Sequence, residues 1–250
     1  MNIFLTNDDG YQATGIRVLY EVLNQRHNVV LVAPDREKSA VSHGITLHHP
    51  MRLQQMPSKG KGKIYAMDGT PADCVKLGLS ECVDTPPDMV ISGINPGTNI
   101  GIDINYSGTV AAAREGALNG IRSLAVSMKI GNVMDYEKLA WFISDAAITI
   151  QKYNLPSGTF LNINAPGIAF SEIKGVKITC QAFDSLSSCF EKRKDPKQRR
   201  YYWYGSQEPV SGAPDTDVNA IAQNYISITP LRCDLTDYTA MAEMPVFAID

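Results

Sequence analysis

The sequence predicts an α/β protein: a Rossmann-like, doubly wound, mostly parallel sheet with helices on both faces and a β-rich C-terminal extension. Three observations predict it. Residues 1–33 read strand, helix, strand, which is one βαβ unit. The runs Val29–Val32, Met89–Ser92, Leu124–Met128 and Phe160–Ile163 are apolar or small apart from Asn162. Such runs suit strands buried on both faces, as in a parallel sheet under helices. After about residue 165 the texture changes to strand-like segments with few helical patterns between them.

Taken in order, Asn2–Leu5 is a short strand ending in the turn Thr6-Asn7-Asp8-Asp9-Gly10. Ile16, Leu19, Tyr20 and Leu23 recur at helical spacing. Thr70-Pro71-Ala72-Asp73 has the form of a helix start, with Thr70 as N-cap, Pro71 at the first position and an acid in the first turn. Met89–Ser92 leads into a Gly/Asn-rich loop from Gly93 to Gly101. Ser107 then precedes a helix through Val110–Ala117, and Asp135 caps another from Tyr136 to about Tyr153. Pro166 stops the Phe160 strand. Beyond it, Val176–Ala182, Tyr201–Tyr204 and Tyr225–Thr229 read as strands, and Lys192–Arg200 as a basic, Pro-containing link. Residues 58–63 read as an exposed loop. The expected division is a core over 1–165 and an extension over 166–250.

Composition narrows the function. The chain has 250 residues, 20% of them charged, and a net charge of −3. That charge sets up no field for nucleic acid or an anionic membrane. No window approaches the ~20 apolar residues of a membrane span, and Met1–Leu5 runs into Asp8-Asp9 without the pattern of a signal peptide. Five cysteines, an odd count with no C-x-x-C, fit reduced thiols in a cytoplasm. The sequence has no G-x-G-x-x-G after the first strand, no G-x-x-x-x-G-K-[ST] and no G-x-S-x-G. Dinucleotide dehydrogenases, P-loop NTPases and α/β-hydrolases are therefore disfavoured.

Ligands of doubly wound sheets bind beyond the carboxyl ends of the strands. Four segments lie there: Asn7–Gly10, Asp35–Ser39, Gly93–Asn99 and Ser107–Thr109. Asp8 and Asp9 are adjacent carboxylates that repel unless a cation or proton sits between them. Hard cations such as Mg²⁺ or Mn²⁺ take oxygen ligands. The pair reads equally as an acidic Asp-Gly turn, but its place after a buried strand favours the metal. Ser39, Asn95 and Asn99 are loop residues first. Their significance comes from convergence with Asp8 and Asp9 at one rim. Ser107-Gly108-Thr109 opens a helix whose N-terminus suits an anion, or simply an N-cap. His43 could donate a proton but reads more simply as a polar loop residue. The basic cluster Glu191–Arg200 beside Tyr201–Tyr204 admits an RNA-binding reading, which the acidic composition disfavours. A phospho-receiver signalling domain is another rival. It would need an acceptor carboxylate where this chain has Asn95, and it is much shorter than this chain.

These blocks together resemble the SurE family, the stationary-phase survival nucleotidases. The resemblance rests on Asn7-Asp8-Asp9-Gly10, on Ala33-Pro34-Asp35-Arg36 with Ser39, and on Gly69-Thr70-Pro71-Ala72-Asp73-Cys74-Val75. It continues through Ser92-Gly93-Ile94-Asn95, Tyr106–Ala113, and Tyr225–Leu231 with Asp234-Leu235-Thr236. The resemblance implies a Rossmann-like core and one divalent metal cation per subunit, Mg or Mn. It implies a 5′-nucleotidase that hydrolyses nucleoside 5′- and 3′-monophosphates. Carried over, the metal ligands are Asp8, Asp9, Ser39 and Asn95, with Asp8, Asp9 and Asn95 catalytic. Asn7, Asn99, Ser107, Gly108 and Thr109 are the substrate-binding candidates. The same resemblance, with the exposed-looking strand Tyr201–Tyr204, implies a homodimer or homotetramer built by the C-terminal region. Ala40 and Asn224 stand where the family commonly has glycine.

Overall fold

The computed structural model describes residues 1–58, 60–183, 190–205 and 213–245. Six strands form a parallel centre: β1 (Asn2–Thr6), β2 (Asn28–Pro34), β4 (Lys63–Met67), β5 (Met89–Pro96), β6 (Arg122–Met128) and β7 (Thr159–Ala165). β3 (Leu53–Met56) flanks one side of that centre. β11 (Ile226–Arg232) and β8 (Val176–Ile178) flank the other. The order across the nine strands is β3-β4-β2-β1-β5-β6-β7-β11-β8. Only β3 against β4 and β11 against β7 are antiparallel. The direction of winding reverses between β1 and β5, so the crevice of this doubly wound sheet opens there.

The alternation of side chains along β1 explains the two helical layers. Ile3 and Leu5 point to one face, where α1 (Thr14–Leu23) packs with α4 (Tyr136–Gln151). Phe4 points to the other, against Cys74 and Val75 of α2 (Pro71–Glu81) and Ala112 of α3 (Gly108–Leu118). Both faces are thus apolar, and strands between them have no polar side to show. The expected start of α2 is present as a full capping box. Thr70 Oγ1 accepts from the Asp73 amide at 3.1 Å, and Asp73 Oδ2 accepts from the Thr70 amide at 2.9 Å.

Several expectations needed correction. β5 does not end at Ser92: after an irregularity, Asn95 and Pro96 resume pairing with Ser127 and Met128. The chain leaves the sheet after Thr179, whose amide still donates to the Ile228 carbonyl at 3.0 Å, and Cys180 bridges to Thr216 instead. The basic link is half strand: β9 (Phe190–Lys194) pairs with β10 (Arg200–Tyr204) as a separate hairpin. β3, β4, α5 (Asp217–Ala222) and α6 (Tyr238–Glu243) were not expected. β11 extends past Pro230 because β8 has ended at Ile178, opposite Ile228, leaving the side of Pro230 away from β7 without a strand. Cys189 lies outside the described residues. Residues after 165 supply β8 and β11 to the main sheet as well as the hairpin. Among the described residues no helix is long and apolar enough to cross a membrane.

Candidate active site

At the carboxyl end of β1 the chain turns through Gly10, whose φ of +99° favours glycine. Asn7 is fully buried there and donates from Nδ2 to the Gly10 carbonyl at 3.0 Å. The loop after β2 crosses this turn, with the Lys38 amide donating to the Asp8 carbonyl at 2.7 Å and the Tyr11 amide to that of Pro34 at 2.9 Å. Two strand ends are therefore stitched together by main chain before any ligand is considered.

Asp8 is 4% exposed and lies at the N-terminus of α3. Thr109 donates to its carboxylate from both hydroxyl and amide. The anion at that helix end is Asp8's own side chain, where dipole and free amides favour negative charge. Ser107 closes the turn as N-cap, accepting from the Val110 amide at 3.1 Å. Gly108 allows the approach: a Cβ there would stand 2.8 Å from the Asp8 Cβ and 2.9 Å from its Oδ2.

Burial holds the Asp8 carboxyl above the usual carboxylate range, against the opposing bonds from Thr109. Asp9 is pushed up to about 7, first by burial, then by Asp8 and by Glu37. Its Oδ2 is buried without a hydrogen-bond partner. Glu37 is a third nearby carboxylate that sequence reading missed, although it lies only two residues before Ser39. Ser39 donates to Glu37 at 2.7 Å. Asn95 donates from Nδ2 to the Gly97 carbonyl at 2.8 Å, which leaves its side-chain oxygen free to ligate. An orphaned carboxylate oxygen, two carboxyls whose burial raises their pKa and neutral oxygen donors are the set a hard divalent cation relieves. Among the described residues no group of three or more His, Cys, Asp or Glu has metal-binding geometry.

One cleft of about 600 Å³ unites Asp8, Ser39, Asn95, Asn99 and Ser107. Asp9, Gly108 and Thr109 are not among its lining residues, and Asn7 is fully buried. Asn99 is tied down by its side-chain donation to Ser127 at 2.8 Å, while its amide donates to Asn164 at 2.8 Å. His43 lies in an adjoining cavity and bonds Glu115 at 2.8 Å; Glu115 also meets Lys76 at 3.2 Å. That arrangement accounts for His43 as part of a partly buried ion cluster. Ala40 and Asn224 adopt φ of 56° and 65°, the left-handed conformation that glycine takes without strain.

A protein-family model described as "Survival protein SurE" matches residues 3–188. The chain is 43% identical over 251 residues to the 5′-nucleotidase SurE of Desulfatibacillum aliphaticivorans, covering 100% of this chain and 99% of that one. It is 45% identical over 249 residues to the 5′-nucleotidase SurE of Moorella thermoacetica, covering 99% and 96%. Among solved structures, the SurE protein from Aquifex aeolicus superposes with a TM-score of 0.86 at 38% identity, covering 98% of both chains.

Proposed function

Because this chain belongs to the SurE family, we propose that it is a 5′-nucleotidase, hydrolysing nucleoside monophosphates to nucleoside and phosphate. We assign one divalent cation, Mg or Mn, to Asp8, Asp9, Ser39 and Asn95. The observation that carries the assignment is the carboxylate pair at the sheet's switch point, with Asp9 Oδ2 buried and unpartnered. A cation bound there supplies Lewis-acid polarisation of a phosphoryl oxygen and acidifies water. Asp8, fixed by Thr109, and Asp9 orient that charge. Asn95 and Ser107 face the cleft and offer polar groups to the transferring phosphoryl. Asn7, Asn99 and Thr109 act as supports: their side chains brace the Gly10 turn, the Asn95 loop and Asp8. Cleavage of 3′-monophosphates is part of the same reading, since the chemistry at phosphorus is unchanged.

Phosphate release from AMP tests the reading. EDTA should abolish it, and Mg²⁺ or Mn²⁺ should restore it. Full activity in excess chelator would reject the metal.

A second expectation concerns pH. Asp9 has its folded-state pKa raised, from 3.8 to about 7. Its contribution to stability is present below the unfolded value and lost as pH rises through about 7. A cation cancels that loss by binding the ionised form. The rise in Tm on adding Mn²⁺ should therefore be larger at pH 8 than at pH 5. Equal shifts at both values, measured by calorimetry, would remove Asp9 from the ligand set.

The rival readings lose support. A receiver domain has the parallel order 2-1-3-4-5, whereas the six parallel strands here, counted among themselves in chain order, run 3-2-1-4-5-6. The basic hairpin partly neutralises itself, through Arg193 with Glu191 and Arg199 with Asp195, each at 2.7 Å. We further propose that residues 166–250 are the assembling part of the chain. Both hairpin strands are exposed along their length, including Tyr202 and Trp203. A symmetric partner would cover such an edge over Tyr201–Trp203, while Tyr204 at the strand's end lines the cleft. A homodimer or homotetramer is the expected state, and light scattering near 27.3 kDa would reject it. A cytoplasmic setting completes the proposal, on the odd cysteine count alone.

A further inference from the structure

The cleft that holds Asp8, Ser39 and Asn95 is also lined by two tyrosines, Tyr106 and Tyr204. They are 55% and 67% exposed, so neither ring is consumed by the core. They come from distant parts of the chain. Tyr106 directly precedes the N-cap of α3. Its carbonyl accepts from the Ser42 amide at 3.0 Å, and the Asn105 carbonyl accepts from the Ser42 hydroxyl at 2.7 Å. Those bonds fix it to the loop that carries Ser39. Tyr204 ends β10 of the hairpin, opposite Phe190. The Phe190 ring meets it edge to face, with centroids 5.5 Å apart and planes at 81°. Tyr204 keeps most of its ring open beside that contact, at 67% exposed.

We propose that Tyr106 and Tyr204 form the nucleobase subsite, stacking on the base of the nucleotide whose phosphate lies at Asp8, Ser39 and Asn95. The inference rests on the nucleotidase reading and deepens it. The cleft, at about 600 Å³, has the size of a nucleotide-class ligand site. Ring faces accept any base, because every base has a π-face, and purines offer more area than pyrimidines. The subsite therefore favours purine nucleotides modestly and does not read base edges. It also gives the C-terminal hairpin a direct part in substrate binding.

Steady-state kinetics with AMP and with ribose 5-phosphate, on the full-length metal-loaded enzyme, tests this. Wild type should show a lower KM for AMP. Tyr204→Ala and Tyr106→Ala should each raise the AMP KM by roughly tenfold, about 1.4 kcal/mol. Their kcat should stay within about twofold, and ribose 5-phosphate should be unaffected, as expected for loss of a stacking face. Tyr204→Phe keeps the ring and should stay close to wild type. Tyr106 lies outside the hairpin, so its variant separates lost stacking from lost assembly. Equal effects on both substrates, or no effect of either alanine variant on AMP, would overturn the subsite. An enzyme inactive on both substrates would instead overturn the nucleotidase reading, and the subsite with it.

Discussion

Asp8→Asn and Asp9→Asn are each expected to lower kcat by at least ~10²-fold, the scale of losing one major electrostatic contributor at a reacting centre. Asparagine keeps the shape of the side chain, and its oxygen still accepts from Thr109, so the change isolates charge. Ser39→Ala and Asn95→Ala remove neutral donors and should cost less. Asp9→Asn carries a second signature. The metal-free variant no longer buries a carboxylate beside Asp8 and Glu37. It should melt above the metal-free wild type at pH 8 while responding less to Mn²⁺. An Asp8→Asn enzyme keeping more than about a tenth of wild-type kcat at saturating metal would defeat the assignment, given that scale.

What the sequence revealed depended on how local each cause was. β1, β2, β5 and β6 were readable because burial on both faces leaves a run without alternation. The start of α2 was readable because Thr70 and Asp73 satisfy each other within one turn. β3 was invisible for the opposite reason. It is an edge strand bearing Gln54 and Gln55, exposed on both, so no apolar run marks it. The same logic holds at the site. Strand ends pointed to Asp8, Ser39 and Asn95, which do line one cleft. The tie from Thr109 to Asp8 spans a separation of 101 residues and left no trace in spacing. Ser107–Thr109 suggested an anion site from helix chemistry alone. That chemistry could not say that a carboxylate of the same chain would lie there. Glu37 is illegible in the sequence because a single exposed acid in a loop carries no pattern; only its proximity to Asp8 and Asp9 gives it weight.

Gly108→Ala should be nearly as damaging as losing a carboxylate, although it adds only a methyl group. Position 108 is the first residue of α3, where alanine is a good helix former, so local propensity does not oppose it. The obstacle is Asp8. The new Cβ would stand 2.8 Å from the Asp8 Cβ and 2.9 Å from Oδ2, with the Pro71 Cγ at 3.1 Å on another side. Asp8 follows directly from β1, and its carbonyl is held by the Lys38 amide. Asp8 or the first turn of α3 must therefore shift, breaking the bond from Thr109. A displacement near 1 Å at a reacting centre costs on the order of 10²-fold in rate. The expected result is a folded protein, with a near-native circular dichroism spectrum, whose kcat falls by about that factor and whose Tm responds less to Mn²⁺. Thr109→Val tests the same contact from its other partner, removing the hydroxyl without adding bulk, and should fall between wild type and Gly108→Ala. A Gly108→Ala enzyme with wild-type kcat and an unchanged metal-induced rise in Tm would mean that the seat of Asp8 on α3 is incidental to the reaction.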